Sequence, residues 1–339
     1  MTSTYRTLSN QLRFAYGVAR RRPFDVCVQL THRCNMRCGF CHFWTSGTDP
    51  SQELTVADYR RISADLARLG SFLVSLEGGE PLMRDDIVDV VEAFARHHLP
   101  VIYTNGWYVD APLAAALFAA GMTQVGVSID YPDRARHDMS RGLVGAFDRA
   151  WSAVETLRRA APHGGSQVHV MTILMKDNQQ DVESLLRMSE RRGVDHHLTL
   201  LSPRRTRTAD DALSLPSPPR STDLLRLRKR YGHLSTFREY LELIDAFLLG
   251  ADMPRCVMGQ QMFNIGVTGA VTPCNEKLDW IAGNVTEESI ASIHRRLSKM
   301  SQVGRCGDCW LLCRGFSHVL GSRGSLKGWA DLAARMRSR

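Results

Sequence analysis

Three cysteines, Cys34, Cys38 and Cys41, fall within eight positions, directly after a β-like run from Asp25 to Leu30. Thiolates this close on one loop suit a soft metal centre, either zinc or an iron–sulfur cluster. A closed zinc site takes four ligands, and the nearest fourth candidate, His42, sits beside Cys41 where tetrahedral closure is awkward. Three thiolates on a four-iron cluster would leave one iron open to a small molecule. A second set follows: Cys256, Cys274, Cys306, Cys309 and Cys313. It is enough for one four-thiolate site with one thiol over, and its spacing suits zinc and a four-iron cluster equally.

Gly78-Gly79-Glu80-Pro81 is the next chemical feature. Paired glycines after a strand let backbone approach a ligand closely, and the carboxylate that follows can accept from an ammonium group. Cys27, inside the first strand, reads as a buried structural cysteine. The twelve histidines form no metal-spaced set; the adjacent pair His196-His197 reads as surface, with a substrate contact as the alternative. Arg204 and Arg205 could bind a carboxylate or phosphate, or be solvated loop.

Alternating strand and helix patterns position these residues. Thr55 to Asp58 forms a capping box before a helix that stops at Gly70. Strands are expected at 71–76, 101–103, 124–129, 167–174 and 197–201, with helices at 84–97, 111–120, 145–160 and 181–191. Six strands alternating with helices imply an α/β fold with a parallel sheet and right-handed crossovers, whose active site lies at the carboxyl ends of the strands. The cysteine loop, Gly78 to Pro81, Thr104-Asn105-Gly106 and Asp130 all fall at those ends. Pro, Ser and charge over 203–221 read as a linker before one helix from 224 to 249. A hairpin turning at Thr268-Gly269 brings Cys256 and Cys274 to one end, and 287–300 reads as a helix.

The chain has 339 residues, 44% hydrophobic and 23% charged, enough for one large and one smaller domain. No apolar run approaches the roughly 18–20 residues of a membrane span. Arginines interrupt every apolar stretch of 1–24, so no signal peptide is read; a mitochondrial presequence is the alternative to a first helix packed on the domain. Nine clustered cysteines without a secretory signal imply metal ligation in a reducing compartment, hence the cytoplasm. The net charge of +8 includes basic patches at 20–22, 204–207 and 228–230, read as solvated surface rather than nucleic-acid contact.

The cysteine spacing, with Phe40 before the last cysteine and Gly78-Gly79-Glu80-Pro81 one βα unit later, resembles the radical S-adenosylmethionine (SAM) superfamily. The resemblance covers residues 25 to about 201 and implies a partial (β/α)6 TIM-like barrel. It implies that Cys34, Cys38 and Cys41 ligate a [4Fe–4S] cluster whose open iron binds SAM. It further implies that Phe40 lies beside the adenine and that Gly78, Gly79, Glu80 and Pro81 receive the methionine amino group. On the same resemblance Thr104, Asn105, Ser128 and Asp130 would flank the ribose and methionine, and Arg141 would partner the methionine carboxylate. Tyr131 stands where relatives often have glycine, which would narrow the substrate pocket.

Cys256, Gly269, Cys274 and Cys306-x-x-Cys309 resemble the SPASM extension, in particular its shortened twitch form, which holds one auxiliary [4Fe–4S] cluster. On that reading Cys256, Cys274, Cys306 and Cys309 are ligands, and Cys313 is an alternative ligand or a free thiol acting as hydrogen donor. The implied division is a helical arm (1–24), the barrel (25–202), a linker and helix (203–250), a small auxiliary-cluster domain of β-hairpin plus helix (251–318) and a basic tail (319–339).

The implied activity is reductive cleavage of SAM to a 5′-deoxyadenosyl radical by an external flavodoxin- or ferredoxin-type reductant. Hydrogen abstraction from a sugar, aminocyclitol or nucleoside would then lead to dehydrogenation, epimerisation or rearrangement. One alternative is a maturase of a ribosomal peptide, for which 1–24 is short to supply a leader-binding module. Another, of a different class, is a non-catalytic, zinc-stabilised nucleic-acid-binding protein.

Overall fold

The computed structural model describes residues 3–162, 167–202 and 214–321. Arg204, Arg205, Arg207 and the tail beyond 321 lie outside the described residues. Helix α1 (Ser3–Ala19) leads into β1 (Asp25–Gln29), α2 (Val56–Leu69), β2 (Leu73–Glu77), α3 (Ile87–Ala95), β3 (Leu99–Thr104), α4 (Ala111–Ala119) and β4 (Gln124–Ser128). Two helices, α5 (Arg134–Arg141) and α6 (Ala146–Ala160), precede β5 (Val168–Leu174), α7 (Val182–Glu190) and β6 (Asp195–Leu200). Then come α8 (Ser221–Arg230), α9 (Arg238–Glu242), α10 (Ile244–Leu248), β7 (Met262–Ile265), β8 (Ala270–Thr272), β9 (Gly283–Asn284), α11 (Ile290–Leu297), α12 (Ser301–Gly304) and α13 (Leu312–Gly321).

The sheet runs β6-β5-β4-β3-β2-β1-β7-β8-β9, parallel from β6 to β7 and antiparallel beyond. Strand alternation sorts its residues into two layers. Val26, Val28 and Leu30 face outward and pack with Ile62 and Leu66 of α2 and with Val90 and Phe94 of α3. Asp25, Gln29, Ser75, Glu77, Tyr103 and His169 line an internal cavity of about 400 Å3. The architecture is a partial (β/α)6 barrel whose lumen mixes these polar side chains with apolar ones such as Leu73, Met171 and Met262.

The hairpin of the second cysteine set belongs to the same sheet, because β7 pairs in parallel with β1, matching Cys27 to Asn264. Gly269 makes its turn at φ +90°, where an added Cβ would meet Asn284. At the opposite edge the helix expected over 224–249 is broken into α8, α9 and α10. His196 N–H donates to the His233 carbonyl (2.9 Å) and Ser235 N–H to the His196 carbonyl (2.8 Å), so residues 233–235 cover the β6 edge as extended chain. Helix α13 closes over this side. Trp310 stacks on Tyr240 with centroids 5.6 Å apart, and Gly315 packs so closely that a Cβ would meet the Tyr240 ring. No helix among the described residues is long and apolar enough to cross a membrane.

His98 joins three elements. Its Nδ1 accepts from Phe72 N–H (3.2 Å), and its Nε2 lies 2.8 Å from the Ser63 carbonyl, so the neutral Nε2–H tautomer satisfies both. Burial lowers its pKa from 6.5 to about 4. The unfolded chain therefore binds more protons between those values, and stability is lost as pH falls through that window. Denaturant titrations are expected to show His98 contributing up to about 3 kcal/mol of this loss; His98→Gln should start less stable and fall less steeply between pH 6.5 and 4.

Candidate functional site

The turn after β2 is bound to the loop after β1. Gly79 N–H donates to the Thr31 carbonyl (2.7 Å) and Glu80 N–H to the Arg33 carbonyl (2.8 Å). Only glycine allows this approach: a Cβ on Gly78 would lie 2.5 Å from the Thr31 oxygen, and one on Gly79 2.1 Å from the Arg33 oxygen. From behind, the buried Arg84 donates to the Leu30 and Leu54 carbonyls and to Glu53, which also accepts from Thr31 (2.5 Å).

Glu80 is buried. Its carboxylate accepts from Thr104 Oγ1 (2.7 Å), Asn105 N–H (2.8 Å) and Leu82 N–H (3.0 Å). Burial raises its pKa, and these donors work in the opposite direction. Asn105 also donates to Asn35 in the cysteine loop (2.8 Å), tying the ends of β2 and β3 to that loop. Pro81 starts a short 3-10 turn and does not line the cavity.

The far side of the cysteine loop rests on the end of α5. Arg37 N–H and Gly39 N–H donate to the carbonyls of Arg141 and Ser140 (3.1 and 3.0 Å), and a Cβ on Gly142 would meet the Arg37 oxygen. Arg141 pairs with Asp130 (2.5 Å), lies over the Phe40 ring (5.2 Å) and places Nη1 3.9 Å from Cys38 Sγ. Its buried Nε has no partner. Asp130 stands fully buried behind it, accepting also from Ile173 N–H (2.9 Å).

Cys34, Cys38, Phe40, Cys41, Gly78, Gly79, Glu80, Thr104, Asn105, Ser128 and Arg141 all line the cavity, whereas Asp130 only supports Arg141. Burial pushes the Cys34 thiol up to about 12 and raises Cys38, whose rise Arg141 opposes. Such thiols keep their protons until a cation replaces them.

The second set converges beside the lumen. Cys256, Cys274, Cys306 and Cys313 pack together with Cys27, Met258 and Met262. Cys309 interacts electrostatically with Cys256 and Cys306, and burial pushes it up to about 12. Arg314 fixes this segment by donating to the Cys309 and Pro254 carbonyls (2.6 and 2.8 Å). Lys277 bridges to Asp308 (2.6 Å), which also lies 3.4 Å from Cys306 Sγ. Only Cys313 of this set also lines the cavity.

Two expectations change. Tyr131 does not narrow the cavity: it packs behind Phe40 and donates to Asp177 (2.8 Å). His196 is no surface residue but is buried against Thr172 and Ser189, and His197 faces the lumen beside His169, rings 4.7 Å apart. Cys27 is buried, as expected, and donates to Glu77 (2.7 Å). Sequence reasoning missed the lumen residues Asp25, Glu77, Tyr103 and His169; the signal was polar residues at alternate positions within the strands.

A model of the radical SAM superfamily matches residues 28–189, and a model of the iron–sulfur cluster-binding SPASM domain matches 256–310. The chain belongs to the radical SAM superfamily and carries a C-terminal SPASM domain. It is 26% identical over 313 residues to an AdoMet-dependent heme synthase of Methanosarcina barkeri, spanning 85% of this chain and 88% of that protein. It is 27% identical over 314 residues to the mycofactocin maturase MftC of Mycobacterium tuberculosis, spanning 86% and 78%. In structure it is similar to SuiB of Streptococcus suis bound to S-adenosylmethionine, with TM-score 0.64 and 16% identity over 90% of this chain and 73% of that one. Its cofactors are a [4Fe–4S] cluster with SAM and an auxiliary cluster. The close-approach glycines, the unpartnered Arg141 Nε and the buried thiols suit these groups.

Gly79→Ala must push the Arg33 carbonyl away. It is expected to cost about 1–3 kcal/mol in anaerobic denaturant unfolding, while the exposed-face change Ala115→Ser should cost little.

Proposed function

We propose that Cys34, Cys38 and Cys41 hold the SAM-binding cluster and that Cys256, Cys274, Cys306 and Cys309 hold the auxiliary one. A substrate in the lumen between them would lose hydrogen from carbon and be dehydrogenated, epimerised or rearranged, the work of an oxidoreductase or isomerase. The observation that carries this reading is one continuous cavity, lined by the first three thiols and also by Cys313. When bound, the cluster and SAM supply a 5′-deoxyadenosyl radical. The chain's own work is positioning and exclusion of water. Glu80 offers a carboxylate held in place by three donors, Arg141 offers a guanidinium beside Cys38, and Gly78 and Gly79 let the turn that carries Glu80 dock on the loop after β1.

The substrate class supported best is a small polar molecule. The described lumen wall sets carboxylates, amides, hydroxyls and imidazoles among apolar side chains, and Arg141 is its only Lys or Arg. That lining is unsuited to the several carboxylates of a tetrapyrrole of the kind the heme synthase relative makes. A second reading, modification of a peptide side chain, has the likeness to the mycofactocin maturase in its favour. A flavodoxin- or ferredoxin-type donor would supply the electron. Cys313, at the edge of both the thiol set and the lumen, is placed either to complete the auxiliary site or to return a hydrogen atom to a substrate radical.

Anaerobically reconstituted protein is expected to hold roughly eight irons per chain and to form 5′-deoxyadenosine from SAM and dithionite. A colourless protein that yields none overturns the proposal. The triple substitution of Cys34, Cys38 and Cys41 by Ala should remove about half the iron and abolish 5′-deoxyadenosine. Cys313→Ala separates its two roles: full iron with loss of product assigns hydrogen donation, and loss of iron assigns ligation.

A further inference from the structure

Two carboxylates from neighbouring strands line one wall of the lumen, Asp25 at its amino-terminal end and Glu77 from the end nearer the cysteine loop. Asp25 opens β1 and Glu77 ends β2, and both line the cavity. Asp25 is 3% exposed, and its Oδ1 is buried without a hydrogen-bond partner. Glu77 accepts from Cys27 Sγ (2.7 Å). The rings of Tyr103, His169 and His197 line the same space, with Met262 and Phe316. Among the described lining residues the only Lys or Arg is Arg141, committed to Asp130 and Cys38 at the cysteine-loop end.

A buried carboxylate oxygen without a donor is costly, and the fold accepts the cost where a ligand removes it. Burial and the neighbouring Glu77 carry Asp25 up to about 8. A cation would counter both causes, and aromatic faces would favour it further.

We propose that Asp25 and Glu77 form a subsite for a protonated amine, so that the substrate is an amine-bearing molecule whose ammonium group binds Asp25. This rests on the lumen being the substrate cavity, and it narrows the small polar class to amines: an aminocyclitol, an amino sugar or the amino group of a peptide side chain. The ammonium would anchor the substrate at the lumen floor and present its carbon skeleton toward the cysteine loop.

The test uses reconstituted holoenzyme with SAM bound and three probes of one shape: cyclohexylammonium, cyclohexanol and cyclohexanecarboxylate. Anaerobic calorimetry should find the ammonium bound about ten-fold or more tighter than the alcohol, with the carboxylate weakest. Asp25→Asn, checked for full iron content, should bring the ammonium and alcohol together. Equal affinities, a preference for the carboxylate, no binding by any probe, or a preference that survives in a folded Asp25→Asn protein would each overturn the proposal. The wild-type series stands without the variant. Failure to form 5′-deoxyadenosine would instead strike the proposed function, so the two failures are separately legible.

Discussion

Two backbone hydrogen bonds, from Gly79 and Glu80 to the carbonyls of Thr31 and Arg33, hold the site together. They join the turn after β2 to the loop after β1 at a spacing no side chain could share. Every contact of the Glu80 carboxylate with Thr104 and Asn105, and of Asn105 with Asn35, depends on that junction. The ion-paired Arg84 stiffens it from below, with Glu53 and Asp86 as its acids. The cysteine loop is thus gripped on one side by the β2 turn and on the other by the end of α5. Its three thiols hang from a frame built of the chain's own hydrogen bonds.

The lumen follows a different rule from the rest of the core. Outward strand positions carry Val, Ile and Leu against the helices, while inward positions carry carboxylates, a thiol, phenol and imidazoles. Polar groups at this depth are tolerated where a ligand completes them. The auxiliary-cluster segment supplies the missing wall: β7 lies beside β1, and Trp310 with Leu312 and Gly315 of the following α13 packs against β6 and α9.

What sequence shows and hides here has physical reasons. The turns at Gly78 to Pro81 and Thr104 to Gly106 are legible because glycines and polar residues punctuate strand ends. The helix opened by Thr55 is legible through its capping box, which forms with both hydrogen bonds. The lumen acids are not, because a strand pattern separates two faces without saying which meets helices and which meets a cavity. His196 and His197 illustrate this, adjacent in sequence and on opposite faces. The break after α8 is equally silent: residues 233–235 leave the helix for a tertiary reason, the open edge of β6. The docking of β7 on β1 joins residues more than two hundred positions apart, beyond the reach of any local pattern.

That last pairing bears on how the protein is made. As the chain leaves the ribosome, β1 can gain β2 early, but its other edge stays bare until Met262 to Ile265 emerge. Through that interval the nascent barrel carries a row of unpaired amides and carbonyls beside a half-built lumen, an invitation to misassociation. Closure is a late, long-range event of the kind that slows folding. The barrel and the auxiliary segment therefore share one sheet, which neither completes alone.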